Sequence, residues 1–193
     1  MTTAEADMDE RIGTFEGGEG LEAEVAVELF PAQFAVRWDQ CGATSDFFAA
    51  YFSRLPRCRG DEEANGEVEG AISYVLNEVI ENAVKFQSGG TITVKVGLDG
   101  EELVFVVGNW ISESAANALK PRVRELVTGD AQELLLRRVE QNAENPELGV
   151  SGLGFLTMIT DYEARLGWRF TPVPASPGQV LLHTMARLPI HRT

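Results

Sequence analysis

Apolar side chains recur at helical spacing in the middle of the chain. Val68, Ile72, Val75, Val79 and Phe86 form one stripe, which predicts a single long helix ending near Ser88-Gly89-Gly90. The period then changes. Ile92, Val94 and Val96 alternate with Thr91, Thr93 and Lys95, Asp99-Gly100 supplies a turn, and Glu102 to Asn109 returns as an apolar strand, the pattern of a β-hairpin. Upstream, Glu22 to Arg37 alternates imperfectly with Val25, Val27 and Leu29 on one face, suggesting a strand. Thr44 or Ser45 is suited to cap a helix through Phe47, Phe48, Tyr51, Phe52 and Leu55, which Pro56 stops. Residues 112–143 read as helical, broken at Pro121 and near Gly129-Asp130 and ended by Asn145-Pro146.

A short helix carrying Leu156, Met158, Ile159 and Tyr162 follows, then a closing hairpin of Gly167–Phe170 and Gln179–Leu188 across a Pro-rich loop. This order predicts an α+β two-layer sandwich, a mostly antiparallel mixed sheet with helices on one face. Residues 1–20 are acidic and glycine-rich with few large apolar side chains, so they read as a mobile N-terminal tail. Residues 21–193 are left as a single domain with a helical insert at about 112–148.

Composition narrows the function classes. A net charge of −14 and a pI near 4.5 repel phosphate backbones and anionic membrane surfaces, which argues against direct nucleic-acid or membrane binding. No run approaches the ~18 apolar residues of a spanning helix, and no basic start leads into an apolar segment, so the expected location is cytoplasmic. Cys41 and Cys58 have neither CxxC nor metal-site spacing and read as reduced packing residues.

The long helix also carries candidate chemistry. Glu78, Asn82 and Lys85 stand at i, i+4 and i+7, within an arc of roughly 60° that borders the apolar stripe. A carboxylate can accept a proton, an amide oxygen can ligate Mg²⁺ and an ammonium can meet phosphate, a set suited to a Mg-nucleotide. The competing reading is a solvated helix flank with ordinary surface pairs. About 70 residues on, Gly149-Val150-Ser151-Gly152-Leu153-Gly154-Phe155 precedes the short helix. Glycines at a helix start let backbone N–H groups approach phosphate, where the helix end is partially positive.

With both motifs present, roughly residues 65–190 resemble the GHKL (histidine kinase-like ATPase) superfamily. Glu78–Lys85 looks like its N box and Gly152–Phe155 like its G2 box. Leu153–Ile159 and Gly129–Leu134 are further similar to stand-alone anti-sigma-factor and serine kinases of partner-switching systems, the SiaB-like and cyanobacterial-type regulators. The resemblance implies the Bergerat fold, ATP and Mg²⁺ as cofactors, Glu78 as catalytic base and Asn82 as metal ligand. Asn82, Lys85, Asn109, Gly149, Gly152, Leu153 and Gly154 would contact the nucleotide. The implied partner is a STAS-domain protein, with a PP2C-type phosphatase in the same pathway, and a homodimer is a further expectation.

One departure stands out. Where the superfamily has Asp-x-Gly-x-Gly to receive the adenine amine, this chain has Asn109-Trp110-Ile111-Ser112-Glu113. An Asn oxygen still accepts, at roughly half the strength of a charge-assisted bond, so an Asp there would bind adenine more tightly. Two functions follow: a serine/threonine protein kinase, favoured by the intact Glu78, or a non-catalytic module that sequesters a sigma factor or STAS protein, favoured by the missing glycines. Arg122, Arg124, Arg137 and Arg138 read mainly as surface pairs of nearby glutamates, with one able to reach a γ-phosphate. His183 reads as a strand residue without chemistry.

Overall fold

The structure, a computed structural model, describes residues 9–30, 38–58, 62–144 and 152–190. Its strands are β1 (Glu10–Gly13), β2 (Glu22–Leu29), β3 (Gly89–Asp99), β4 (Glu102–Ser112), β5 (Arg165–Pro172) and β6 (Gln179–Pro189). Its helices are α1 (Trp38–Phe52), α2 (Glu62–Phe86), α3 (Glu113–Thr128), α4 (Ala131–Glu144) and α5 (Gly154–Tyr162). The strands form one six-stranded sheet in the order β1-β5-β6-β4-β3-β2. Each described pairing is antiparallel, so the α+β sandwich holds while the expected mixed character of the sheet does not.

Strand alternation sorts the side chains into two unequal layers. Ile92, Val94 and Val96 of β3 and Phe105 and Val107 of β4 point to the helices, where they join Ile72, Val75, Leu76, Val79 and Ile80 of α2 and Phe48 and Phe52 of α1. Val104, Val106 and Met185 point the other way and are covered by Phe15 and Leu21 of the segment between β1 and β2. Arg187, buried on that side, donates to the Glu16 carbonyl at 2.6 Å and pairs with Asp99 at 2.8 Å and Glu102 at 3.0 Å, fastening the segment to the hairpin. The β3–β4 hairpin turns at Gly100, whose φ of +62° is the left-handed conformation that glycine tolerates.

Five expectations need correction. The mobile tail gives way at residues 10–15: β1 pairs with β5 (Ile12 opposite Trp168), and Ile12 and Phe15 are buried. Residues 1–8 lie outside the described ones. Helix α1 already includes Trp38, so Thr44 and Ser45 are interior residues whose hydroxyls bond back to the Gln40 and Cys41 carbonyls. Helix α3 runs through Pro121, because Asn117, whose carbonyl the proline leaves unpaired, lies on the solvent side. The strand expected to end at Asn109 continues to Ser112, since Trp110 and Ile111 pair with Leu181 and Val180. Ser112 Oγ then accepts from Ala115 N at 3.1 Å and caps α3 directly. Of the predicted α2 stripe, Ile72, Val75 and Val79 are buried, but Phe86 is 46% exposed.

Candidate functional site

Helix α2 brings Glu78, Asn82 and Lys85 to one wall of a cleft of about 320 Å³. The opposite walls are α3, α4 and the start of α5, which contribute Arg122, Arg137, Arg138, Gly152 and Gly154. The two sequence motifs, some 70 residues apart, therefore meet across one space. Their contact is close: a Cβ added at Gly154 would collide with Glu78 Oε2. Only glycine at this position lets the Glu78 carboxylate rest against the first residue of α5, where the helix end favours negative charge. Gly152 has φ +86°, which again favours glycine, and lies beneath the Arg138 guanidinium with 3.9 Å to a notional Cβ.

Glu78 is half-buried, and its pKa is raised by that burial and then by the neighbouring Glu81 charge. Both effects make Glu78 hold a proton more readily than an ordinary carboxylate, which suits a proton acceptor. Asn82 Nδ2 donates to the Glu78 carbonyl at 2.8 Å, which fixes the amide and leaves Oδ1 as the outward ligand atom. Lys85 is exposed, with its ammonium 5.3 Å from the centre of the Phe86 ring at the cleft mouth. Arg137 pairs with Glu133 at 2.9 Å, and Arg124 is turned away to Glu10. Arg122 and Arg138 make no ion pair among the described residues, so both cleft arginines can accept an anion.

A second cavity of about 280 Å³ adjoins the first and shares Asn82, Phe86, Leu119, Arg122 and Phe155 with it. It is mostly apolar, lined by Ala83, Ile111, Ala115 and Trp168, with Asn109 and Thr184 as polar groups beside the shared Asn82 and Arg122. Asn109 is 2% exposed, and its Nδ2 donates to the Ala83 carbonyl at 3.2 Å, so Oδ1 is the end left to accept. A charged, glycine-floored chamber thus opens into an apolar one holding an acceptor and a hydroxyl, each near the size of small-ligand sites. Among the described residues no group of three or more His, Cys, Asp or Glu side chains could hold a metal. Asn82 Oδ1 is an oxygen ligand of the kind Mg²⁺ takes, and phosphate oxygens and water would have to complete its shell.

Of the other site residues expected from the sequence, Leu153 caps α5 through its carbonyl, which accepts from Thr157 N at 2.8 Å, and it does not line the cleft. Gly149 lies outside the described residues. Thr184 and Trp168 were not legible as site residues. Each sits in a strand pattern that reads simply as core, and only the pairing of β6 with β4 and β5 sets them around the Asn109 pocket.

No family model and no curated protein matches the chain by sequence. A solved structure does match by fold. It is a chain of the crystal structure of the SiaB–SiaC complex from Pseudomonas aeruginosa, with a TM-score of 0.56 and 14% identity over 85% of this chain and 89% of that one. At that identity the likeness establishes the fold. No helix among the described residues is long and apolar enough to cross a membrane.

Proposed function

We propose that the protein is an ATP-dependent regulator of a partner-switching system, a serine/threonine protein kinase acting on a STAS-domain protein. The observation that carries this reading is Glu78 seated against Gly154 at the start of α5, with Asn82 beside it and Arg122 and Arg138 lining the same space. The adjoining apolar chamber fits adenine, whose amine would meet Asn109 Oδ1, with the Thr184 hydroxyl alongside. Mg-ATP supplies the phosphoryl group when bound. Asn82 Oδ1 would hold the metal, and Lys85, Arg122 and Arg138 would neutralise phosphate charge. Glu78 takes the proton of the partner's serine hydroxyl. The protein-partner part of the reading is supported by the fold neighbour, which was solved in a complex of two proteins. The STAS class rests on the sequence resemblance.

The experiment is phosphate incorporation into a STAS-domain partner, measured beside ATP affinity. Glu78→Gln should lower transfer by about 10²–10⁴-fold while retaining nucleotide binding. Because the pKa of Glu78 is raised, the acid limb of the wild-type pH profile should lie above the ordinary glutamate value and should vanish in Glu78→Gln; an acid limb that persists unchanged in the variant removes Glu78 from the mechanism.

A second reading, a non-catalytic module that sequesters its partner, is favoured by the two glycines missing after Asn109, where the chain has Trp110-Ile111-Ser112-Glu113. A tight partner complex with no phosphate transferred at any pH decides for it.

A further inference from the structure

The sheet face turned away from the helices carries a second constellation. Strand pairing sets Arg11, Arg169, His183, Gly108, Thr93 and Glu28 in one transverse row across all six strands. A cavity of about 670 Å³ lies over this row, bordered by Phe15, Gly17 and Gly18 of the covering segment and by Lys95. Glycine brings the backbone close at both levels. A Cβ at Gly108 would sit 2.6 Å from Thr93 Oγ1 and 3.0 Å from the His183 ring, and one at Gly18 would sit 3.0 Å from Met185 Cε. The floor is therefore low, and the covering segment lies close against the sheet.

The cavity gathers cations beside two carboxylates, Glu19 and Glu28. In a chain with 16 Lys and Arg against 30 Asp and Glu, three cations line one cavity. Arg169 is the most constrained of them. Its guanidinium lies 5.1 Å over the Phe15 ring, and Nη2 is 3.4 Å from His183 Nδ1. Its Nε is buried without a hydrogen-bond partner; Asp9 Oδ2 stands at 4.0 Å, beyond hydrogen-bond reach. A buried N–H with no acceptor is costly unless a ligand supplies one. Burial, followed by the Arg169 charge, lowers the His183 pKa to about 4 and keeps the ring neutral. Nδ1 then accepts from Arg169, leaving Nε2–H as another donor. Lys95 pairs with Glu24 at 3.3 Å, and Arg11 has no ion pair among the described residues. Glu19 and Glu28 on the rim suit a hydroxyl or amine at the other end of a ligand.

We propose that this cavity is a second ligand site, for a small organic anion whose phosphate or carboxylate group meets Arg169, Arg11 and Lys95. It lies on the opposite side of the sheet from the Glu78 cleft and does not depend on the function proposed for that cleft.

The test titrates glycerol phosphate in one arm and citrate in the other into the full chain, followed by NMR of the Arg169 Nε–H and His183 ring and by thermal melting. At least one anion should move both resonances and raise Tm, and the arm that responds identifies a phosphate-bearing or carboxylate-bearing ligand. Arg169→Gln should weaken that binding at least about tenfold. Should this variant not fold, the Arg11→Gln/Lys95→Gln pair should give the same loss. The proposal is overturned if neither anion moves these resonances at about 10 mM, the concentration range of the weakest specific ligands. It is equally overturned if the substitutions leave affinity intact, or if the shifts are confined to Gly152 and Gly154 of the other cleft.

Discussion

Asn109 is where the sequence resemblance and the structure make opposite predictions. The resemblance favours an aspartate at this position for a stronger adenine contact. In the structure the side chain is buried, and its nitrogen donates to the Ala83 carbonyl in the last turn of α2. In the Asn109→Asp variant an ionised side chain would have no hydrogen to donate and would set a carboxylate against that carbonyl; a protonated one could still donate. Holding a proton on a group of ordinary pKa near 3.9 costs up to about 4 kcal/mol at pH 7, at 1.36 kcal/mol per unit. At about 2–4 °C per kcal/mol for a chain of this size, Asn109→Asp should lower Tm by about 5–15 °C at pH 7. The sign with pH follows. The folded-state pKa of the introduced carboxyl would lie above the unfolded one, so the native variant binds more protons, and its stability relative to wild type declines as pH rises from about 4. ATP affinity should fall, not rise, because the carboxyl that keeps the Ala83 bond is uncharged. The assay is thermal melting of both proteins from pH 4 to 8, with calorimetric ATP titration at pH 7. A variant that melts within a degree or two of wild type throughout, or binds ATP more tightly, refutes the reasoning and restores the superfamily role of position 109.

Two other outcomes separate site from scaffold. Gly154→Ala should fold with nearly unchanged Tm, since the atom it displaces is the far end of the flexible Glu78 side chain and alanine suits a helix, yet phosphate transfer should drop sharply; full activity would mean that the Glu78–Gly154 contact has no role. Ile12→Ala should cost about 2 kcal/mol, roughly 4–8 °C in Tm, because Ile12 is buried opposite Trp168. No change in melting would return residues 10–15 to a mobile tail.

What the sequence determined alone is whatever a local period carries. The 3.6-residue stripe of Ile72, Val75 and Val79 and the two-residue alternation of Thr91–Leu98 around Asp99-Gly100 each specify an element and its buried face within some 20 residues. The same logic placed Glu78 and Asn82 at the border of the core, and glycines before a helix pointed to Gly152 and Gly154. What tertiary structure decided is everything that depends on which distant segments pair. Four residues, Glu10–Gly13, are too few to show a period, and they become a strand because the edge of β5, more than 150 residues away, offers unpaired backbone groups and an apolar slot for Ile12. Asn109 was read as a neutral, weaker acceptor in place of the motif's Asp; only the packing of β4 against the end of α2 shows that its nitrogen is also a donor, to the Ala83 carbonyl. His183 and Arg169 look like unremarkable strand residues until strand register aligns them with Arg11 and Gly108 over one cavity. Local periodicity fixes which side of an element is buried, whereas the neighbours that meet on that side are chosen by the global arrangement of the sheet.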